Sequence, residues 1–282
     1  MIEPELLHPG DTVAITAASG IVNGANLCAG VKTLQSLGLQ TIVMESCYAA
    51  HGTYLAGDDA LRVKNLHQVF ANKHIKGIFM ARGGYGAARL LPHLDFGMIA
   101  QNPKVFVGYS DVTALHTALN QQAGFVTFHG PMVASCLANP CEESLASLMG
   151  HIFHGREADF SGTQTLYPGH AKGMLTGGNL CVIASTIGTP YEINTRGRIL
   201  FMEEIDEEPY RVDRLLLQLK LAGKLDDAAA FAFGDFSPCT LETLQTALND
   251  HILPYKKPTI WGVKSGHIKP NLTLPLGRMA YW

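Results

Sequence analysis

The 282-residue sequence carries little charge, and no excess of one sign. Lysine and arginine number 21 against 24 aspartates and glutamates, a formal net charge of −3. That balance leaves no basic face for nucleic acid or an anionic membrane, so neither is expected as a partner. Charged residues make up 16% and hydrophobic residues 47%, which excludes a disordered chain. No apolar run approaches ~20 residues, so no membrane-spanning helix is expected. The N-terminus, Met1-Ile2-Glu3-Pro4-Glu5, has no basic stretch followed by an apolar one. No secretory leader is therefore expected, and a cytoplasmic location is. None of the six cysteines (Cys28, Cys47, Cys136, Cys141, Cys181, Cys239) forms a Cys-x-x-Cys pair. Reduced, packed thiols are the simplest reading, rather than disulfides or catalytic groups. Internal repeats and low-complexity segments are also missing. A chain of this length buries a core without staples and holds one large domain or two modest ones.

What is present first is alternation. Apolar runs at Thr12–Thr16, Thr41–Met44, Ile75–Met80 and Lys104–Val107 read as strands. Between them, Leu27, Val31 and Leu34 repeat at helical spacing. A second helix follows Asp58 and Asp59, carrying Leu61, Val63, Leu66, Val69 and Phe70. Further helices are expected over 87–91 and 111–119. Strands alternating with helices argue for a parallel sheet covered on both faces, with ligands outside the carboxyl ends of its strands. After about Pro140 the pattern changes. Residues 150–169 read as a connector. Short strands are expected at 173–175, 199–202 and 229–233, with helices over 212–221 and 241–252.

Several residues carry candidate chemistry. Ser110, in Val107-Gly108-Tyr109-Ser110-Asp111, sits between a strand and a helix, the geometry of a nucleophile elbow. An N–H beside it would stabilise an oxyanion. The usual glycine two residues later is Val112 here, and from local sequence alone the serine reads first as a helix N-cap. Arg82-Gly83-Gly84-Tyr85-Gly86-Ala87 opens a helix and suits close approach to an anion. As a dinucleotide fingerprint it lacks its third glycine, since Arg89 stands there. Glu203 and Glu204 close a strand; they read as a partner for a histidine or as a solvated strand end beside Asp206, Glu207 and Glu208. His267 lies on a loop between Gly266 and Pro270. His151 and His154 stand three apart without a third ligand, and read as a surface helix feature rather than a metal site.

In order, the chain shows Arg82-Gly83-Gly84-Tyr85-Gly86-Ala87, Gly108-Tyr109-Ser110-Asp111, Gly177-Gly178-Asn179-Leu180, Met202-Glu203-Glu204 with Pro209-Tyr210-Arg211-Val212-Asp213-Arg214, and Gly266-His267 with Thr273-Leu274-Pro275-Leu276-Gly277. Over nearly its whole length it resembles the LD-carboxypeptidase (muramoyltetrapeptide carboxypeptidase) family of serine peptidases. The resemblance implies a triad of Ser110 as nucleophile, His267 as general base and then acid, and Glu203 holding the imidazole. It implies an oxyanion hole, placed at the Asp111 and Gly84 amides, and substrate contacts at Arg82, Gly83, Tyr109 and Asn179. Arg82 is the candidate for a substrate carboxylate, or else a brace for its own loop. The implied fold is α/β: an N-terminal flavodoxin/Rossmann-like parallel sheet and a C-terminal α+β domain with a small barrel-like sheet. Residues 1–145 would form the first domain, 146–164 a linker and 165–282 the second. The implied reaction releases D-alanine from murein tetrapeptides, without metal or organic cofactor, in a homodimer. Two alternatives stand beside it: a resistance hydrolase cleaving a peptide-nucleotide antibiotic, and a non-catalytic nucleotide-binding module. Ala17-Ala18-Ser19-Gly20 replaces a frequent Ala-Pro-Ser, and Glu204 a frequent Asp, so which glutamate faces His267 stays open. Relatives commonly continue for another strand past the position of Trp282.

Overall fold

The structure, a computed structural model, describes residues 1–282. Its strands in chain order are β1 Thr12–Thr16, β2 Gln40–Val43, β3 Ile75–Met80, β4 Val105–Gly108, β5 Thr127–His129, β6 Gln164–Tyr167, β7 Lys172–Asn179, β8 Ile199–Glu203, β9 Ala230–Phe233, β10 Thr259–Trp261, β11 Leu274–Leu276 and β12 Met279–Tyr281. They form two six-stranded sheets. The first runs β11-β5-β4-β3-β1-β2, and the second β12-β7-β8-β9-β10-β6. The fold is α/β.

Strands β2-β1-β3-β4-β5 are all parallel, in the flavodoxin-like order, with β11 added antiparallel at the edge. Burial on both faces explains the unbroken apolar runs of the inner strands: all four residues of Val105–Gly108 are buried, whereas the edge strand β2 alternates between exposed and half-buried residues. Helices α1 Gly24–Ser36, α2 Asp59–Ala71, α3 Phe96–Ala100, α4 Thr113–Ala118 and α5 Glu142–Ile152 belong to this half. The starts of α1 and α2 are capped by Asn23 and Asp58, whose side chains accept from Asn26 N–H and Leu61 N–H. Two apolar clusters sandwich the sheet, one around Phe70, Phe106 and Leu115, the other around Leu34, Phe79 and Phe128.

The second sheet has a parallel centre, β7 to β10, and antiparallel edges, β12 and β6. Helices α6 Leu180–Ser185 and α7 Pro209–Leu221 pack on it through Leu180, Ile183, Val212 and Leu216.

Several expectations are corrected. The segment 146–164 is not a bare connector, because α5 runs through it to Ile152 and β6 begins at Gln164. A three-residue strand near the terminus, β11, pairs with β5, so the 165–282 segment contributes to both sheets. The helix expected over 87–91 is a 3-10 turn, Ala88–His93, containing Pro92. The one expected over 111–119 is composite: a 3-10 turn Ser110–Val112, α4, then a π turn Leu119–Ala123. The last starts only at Gln245, because Thr240 and Thr243 exchange hydrogen bonds and close a turn first. His151 is no surface residue: α5 turns it inward, its Nδ1 donates to the Arg156 carbonyl at 2.8 Å, and burial pushes its pKa down to about 4.

Candidate active site

The carboxyl ends of β1, β3 and β4 open on one cleft of about 340 Å³. Asn23, Asn26, Arg82, Gly83, Gly84, Tyr109, Ser110 and His267 are among its lining residues. It lies beside the point where strand order reverses between β1 and β3, the place parallel sheets offer to ligands.

Ser110 follows β4 on a sharp turn. Its φ is +65°, a left-handed conformation that costs a non-glycine residue about 1 kcal/mol or more. Such strain suits an elbow that lifts a hydroxyl off the sheet. The turn is seated by small residues. A Cβ at Gly83 would lie 2.9 Å from Ser110 Oγ. Beneath it, His116 Nε2–H donates to the Gly108 carbonyl at 2.8 Å, which also accepts from Gly130 N–H. Ser110 caps no helix; its hydroxyl meets Nε2 of His267 at 3.1 Å.

His267 is half-buried, and its Nδ1–H donates to Glu203 Oε2 at 2.8 Å. Its ring meets Tyr109 edge-on at 4.9 Å. Burial works against a charge on this imidazole, but the hydrogen bond and charge of Glu203, with Glu204 and Asp206 beyond, outweigh it and hold its pKa above the ordinary histidine range. Glu203 is wholly buried at the end of β8, between two glycines. A Cβ at Gly266 would sit 2.5 Å from Oε2, and one at Gly234 3.0 Å from the Glu203 Cβ. Of the two glutamates it is Glu203 that faces His267, and neither is a solvated strand end. Glu204 turns away to accept from Asn179 Nδ2, Cys181 N–H and Ile205 N–H. Burial pushes its pKa up despite those bonds.

The remaining expected residues divide. Gly84 (φ +115°) has an amide that donates to no backbone carbonyl and sits on the cleft beside Ser110. Arg82 braces its loop through Nε to the Gly83 carbonyl (3.1 Å) and Nη1 to the Ile21 carbonyl (2.9 Å), yet is exposed at the cleft with Nη2 unused. Tyr109 borders the cleft, its hydroxyl 3.4 Å from Cys136 Sγ. Asn179 is not brought to it. Its side chain accepts from Val182 N–H at the start of α6 and donates to Glu204, so both ends are used structurally. The role expected of it, contact with a substrate, is therefore corrected to capping and bracing.

Three groups escaped the sequence reading. The Asp111 carboxylate, not only its amide, matters: Oδ2 accepts from Ser19 Oγ (2.6 Å) and Ala87 N–H (2.8 Å), tying the loops after β1 and β3 to the elbow. Burial raises its pKa against those bonds. Arg62, buried in the first turn of α2, donates to the carbonyls of Ala18 and Gly86 and pairs with Asp59. The glycine loop is thus held from within by a cation on its Gly86 carbonyl. His129 lies behind Glu203. Only burial distinguishes these three, and no local pattern signals it. A hydroxyl linked through an imidazole to a buried carboxylate, beside free amides, is an arrangement able to attack a carbonyl.

Comparison with known proteins gives two family matches: the LD-carboxypeptidase N-terminal domain over residues 13–130, and the LD-carboxypeptidase C-terminal domain over residues 172–281. A probable murein peptide carboxypeptidase of Bacillus subtilis is 40% identical, over 99% of this chain and 90% of its own. Among solved structures, an MccF-like protein of Bacillus anthracis superposes with a TM-score of 0.92 at 26% identity, covering 100% of this chain and 95% of that one. A muramoyltetrapeptide carboxypeptidase of Oxalobacter formigenes gives 0.82 at 31% identity, covering 96% and 94%.

Proposed function

The chain belongs to the LD-carboxypeptidase family, and from that premise we propose that it is a serine carboxypeptidase releasing D-alanine from murein tetrapeptides during cell-wall recycling. One observation carries the reading: Ser110, His267 and Glu203 are hydrogen-bonded in a row at the floor of a cleft, at 3.1 and 2.8 Å. Ser110 Oγ attacks the carbonyl before the terminal residue and His267 Nε2 takes its proton. Glu203 keeps the imidazole in the tautomer that offers Nε2, and stabilises the imidazolium that forms. The oxyanion is received by the Gly84 and Asp111 amides. His267 then protonates the departing amine, D-alanine leaves, and water repeats the cycle on the ester. The free Nη2 of Arg82 suits the carboxylate of that terminal residue. No step draws on a metal ion or organic cofactor. The same reading places the enzyme in the cytoplasm as a homodimer.

The test is release of D-alanine from a tetrapeptide ending in diaminopimelate-D-alanine, followed by mass spectrometry. Ser110→Ala is expected to lower turnover by roughly 10⁴-fold or more. A folded wild type that releases nothing sinks the substrate assignment, and a fully active Ser110→Ala sinks the mechanism. The superposition on an MccF structure in complex with glutamyl sulfamoyl guanosine, with a TM-score of 0.85 at 25% identity, favours one second reading, cleavage of a peptidyl nucleotide. Faster turnover of such a conjugate than of the tetrapeptide would establish it.

A further inference from the structure

Two buried polar atoms behind the cleft have no hydrogen-bond partner: Nε2 of His129 and Oε1 of Glu203. They face each other at 4.0 Å, and both side chains are wholly buried. A buried carboxylate oxygen without a donor is costly, and so is a buried imidazole N–H without an acceptor. A shift of about 1 Å would satisfy both at the usual hydrogen-bond distance. We propose that His129 is a positioning residue for the reaction: its Nε2–H holds Oε1 of Glu203, so that Oε2 stays aimed at Nδ1 of His267. The proposal rests on the assignment of Ser110, His267 and Glu203 made above.

Geometry supports it on three counts. First, Nδ1 of His129 lies 3.1 Å from Ser265 Oγ, and accepting from that hydroxyl leaves the ring proton on Nε2. Second, little else can hold Oε1. The residues crowding Glu203 are Gly234 and Gly266, which have no side chains, and Phe201 packs edge-on against the His129 ring at 5.3 Å. Third, His129 is kept neutral. Burial lowers its pKa well below 6.5, reinforced by His116 and His267. It can therefore donate to Glu203 without cancelling the charge that His267 needs. His129 stands on β5 and Glu203 on β8, so this bond would join the two sheets directly behind the Ser110–His267 contact.

The test compares kcat, KM and the pH profile of the wild type, His129→Gln and His129→Phe, with folding checked by circular dichroism and thermal melting. The titratable groups facing Glu203 and His129 are His267, Glu204, Asp206, His116 and Tyr109. His129→Phe removes the donor; kcat should fall about tenfold or more at unchanged KM. The acid limb should move to lower pH, because a carboxylate no longer aimed at Nδ1 holds the imidazolium less well. His129→Gln keeps an N–H and should recover most of kcat. If His129→Phe does not fold, Ser265→Ala, which releases the tautomer, should lower kcat in the same direction. Wild-type kcat and acid limb in His129→Phe (or wild-type kcat in Ser265→Ala, where Phe does not fold), or equal loss in Phe and Gln with an unmoved limb, would overturn the proposal. A wild type without turnover overturns the assignment of the site, and this proposal with it.

Discussion

Gly266 shows how much of the site depends on what is absent from a side chain. Its φ of +114° and the 2.5 Å from a would-be Cβ to Glu203 Oε2 leave no room for alanine. Gly266→Ala should push Glu203 off His267 and lower kcat roughly 10²-fold, since small misplacements of a catalytic group are costly. A kinetic comparison with wild type checks this; unchanged kcat would mean the slot tolerates a methyl group. Local sequence leaves Ser110, Glu203 and His267 open, as a helix cap, a strand end and one loop histidine; the ordered motifs of the family resemblance are what single them out. Those motifs single out neither Arg62 nor His129. The first is one polar residue in an amphipathic helix, the second one histidine among 12, and only the folded packing buries them.

The strand–turn–helix at β4 and α4 was legible as an element, but not in its detail. The central apolar runs β1, β3 and β4 were readable because strands buried on both faces lose their alternation, and the edge strand β2 was readable from Thr41-Ile42-Val43. β6, β10, β11 and β12, edge strands or only three or four residues long, leave no period to read. Nor does any sequence pattern give the left-handed conformation at Ser110. That conformation separates two inactive variants. Ser110→Gly should be about 1 kcal/mol more stable than Ser110→Ala, because glycine adopts positive φ without the Cβ penalty. Urea denaturation of the two variants measures it; equal midpoints would show that the turn is unstrained.

Across the whole molecule, acid tolerance follows from buried histidines. Burial holds His116 and His151 at about 4, below the 6.5 of a free imidazole. Above pH 6.5 both states are neutral and nothing is lost. Between 6.5 and about 4 the unfolded chain takes up protons that the native state refuses, so stability falls. His267 runs oppositely: its raised pKa contributes stability fully present below 6.5 and lost as pH rises through the folded value. The raised carboxyls of Asp111 and Glu204 also favour the native state as pH falls. A variant isolates one histidine from this balance. In His151→Gln the stability lost between pH 7.5 and pH 5 should shrink by about 2 kcal/mol relative to wild type. Parallel pH curves for the two proteins would contradict it.

The pairing of β11 with β5 has a consequence in time. When β5 has been translated, β11, the strand that covers its edge, still lies more than half of these 282 residues further along. The nascent first sheet therefore waits with an open flank, and Ser110 waits with it for Glu203 and His267. A chain terminated before His267 would therefore carry Ser110 without the imidazole and carboxylate that its hydroxyl is lined up with.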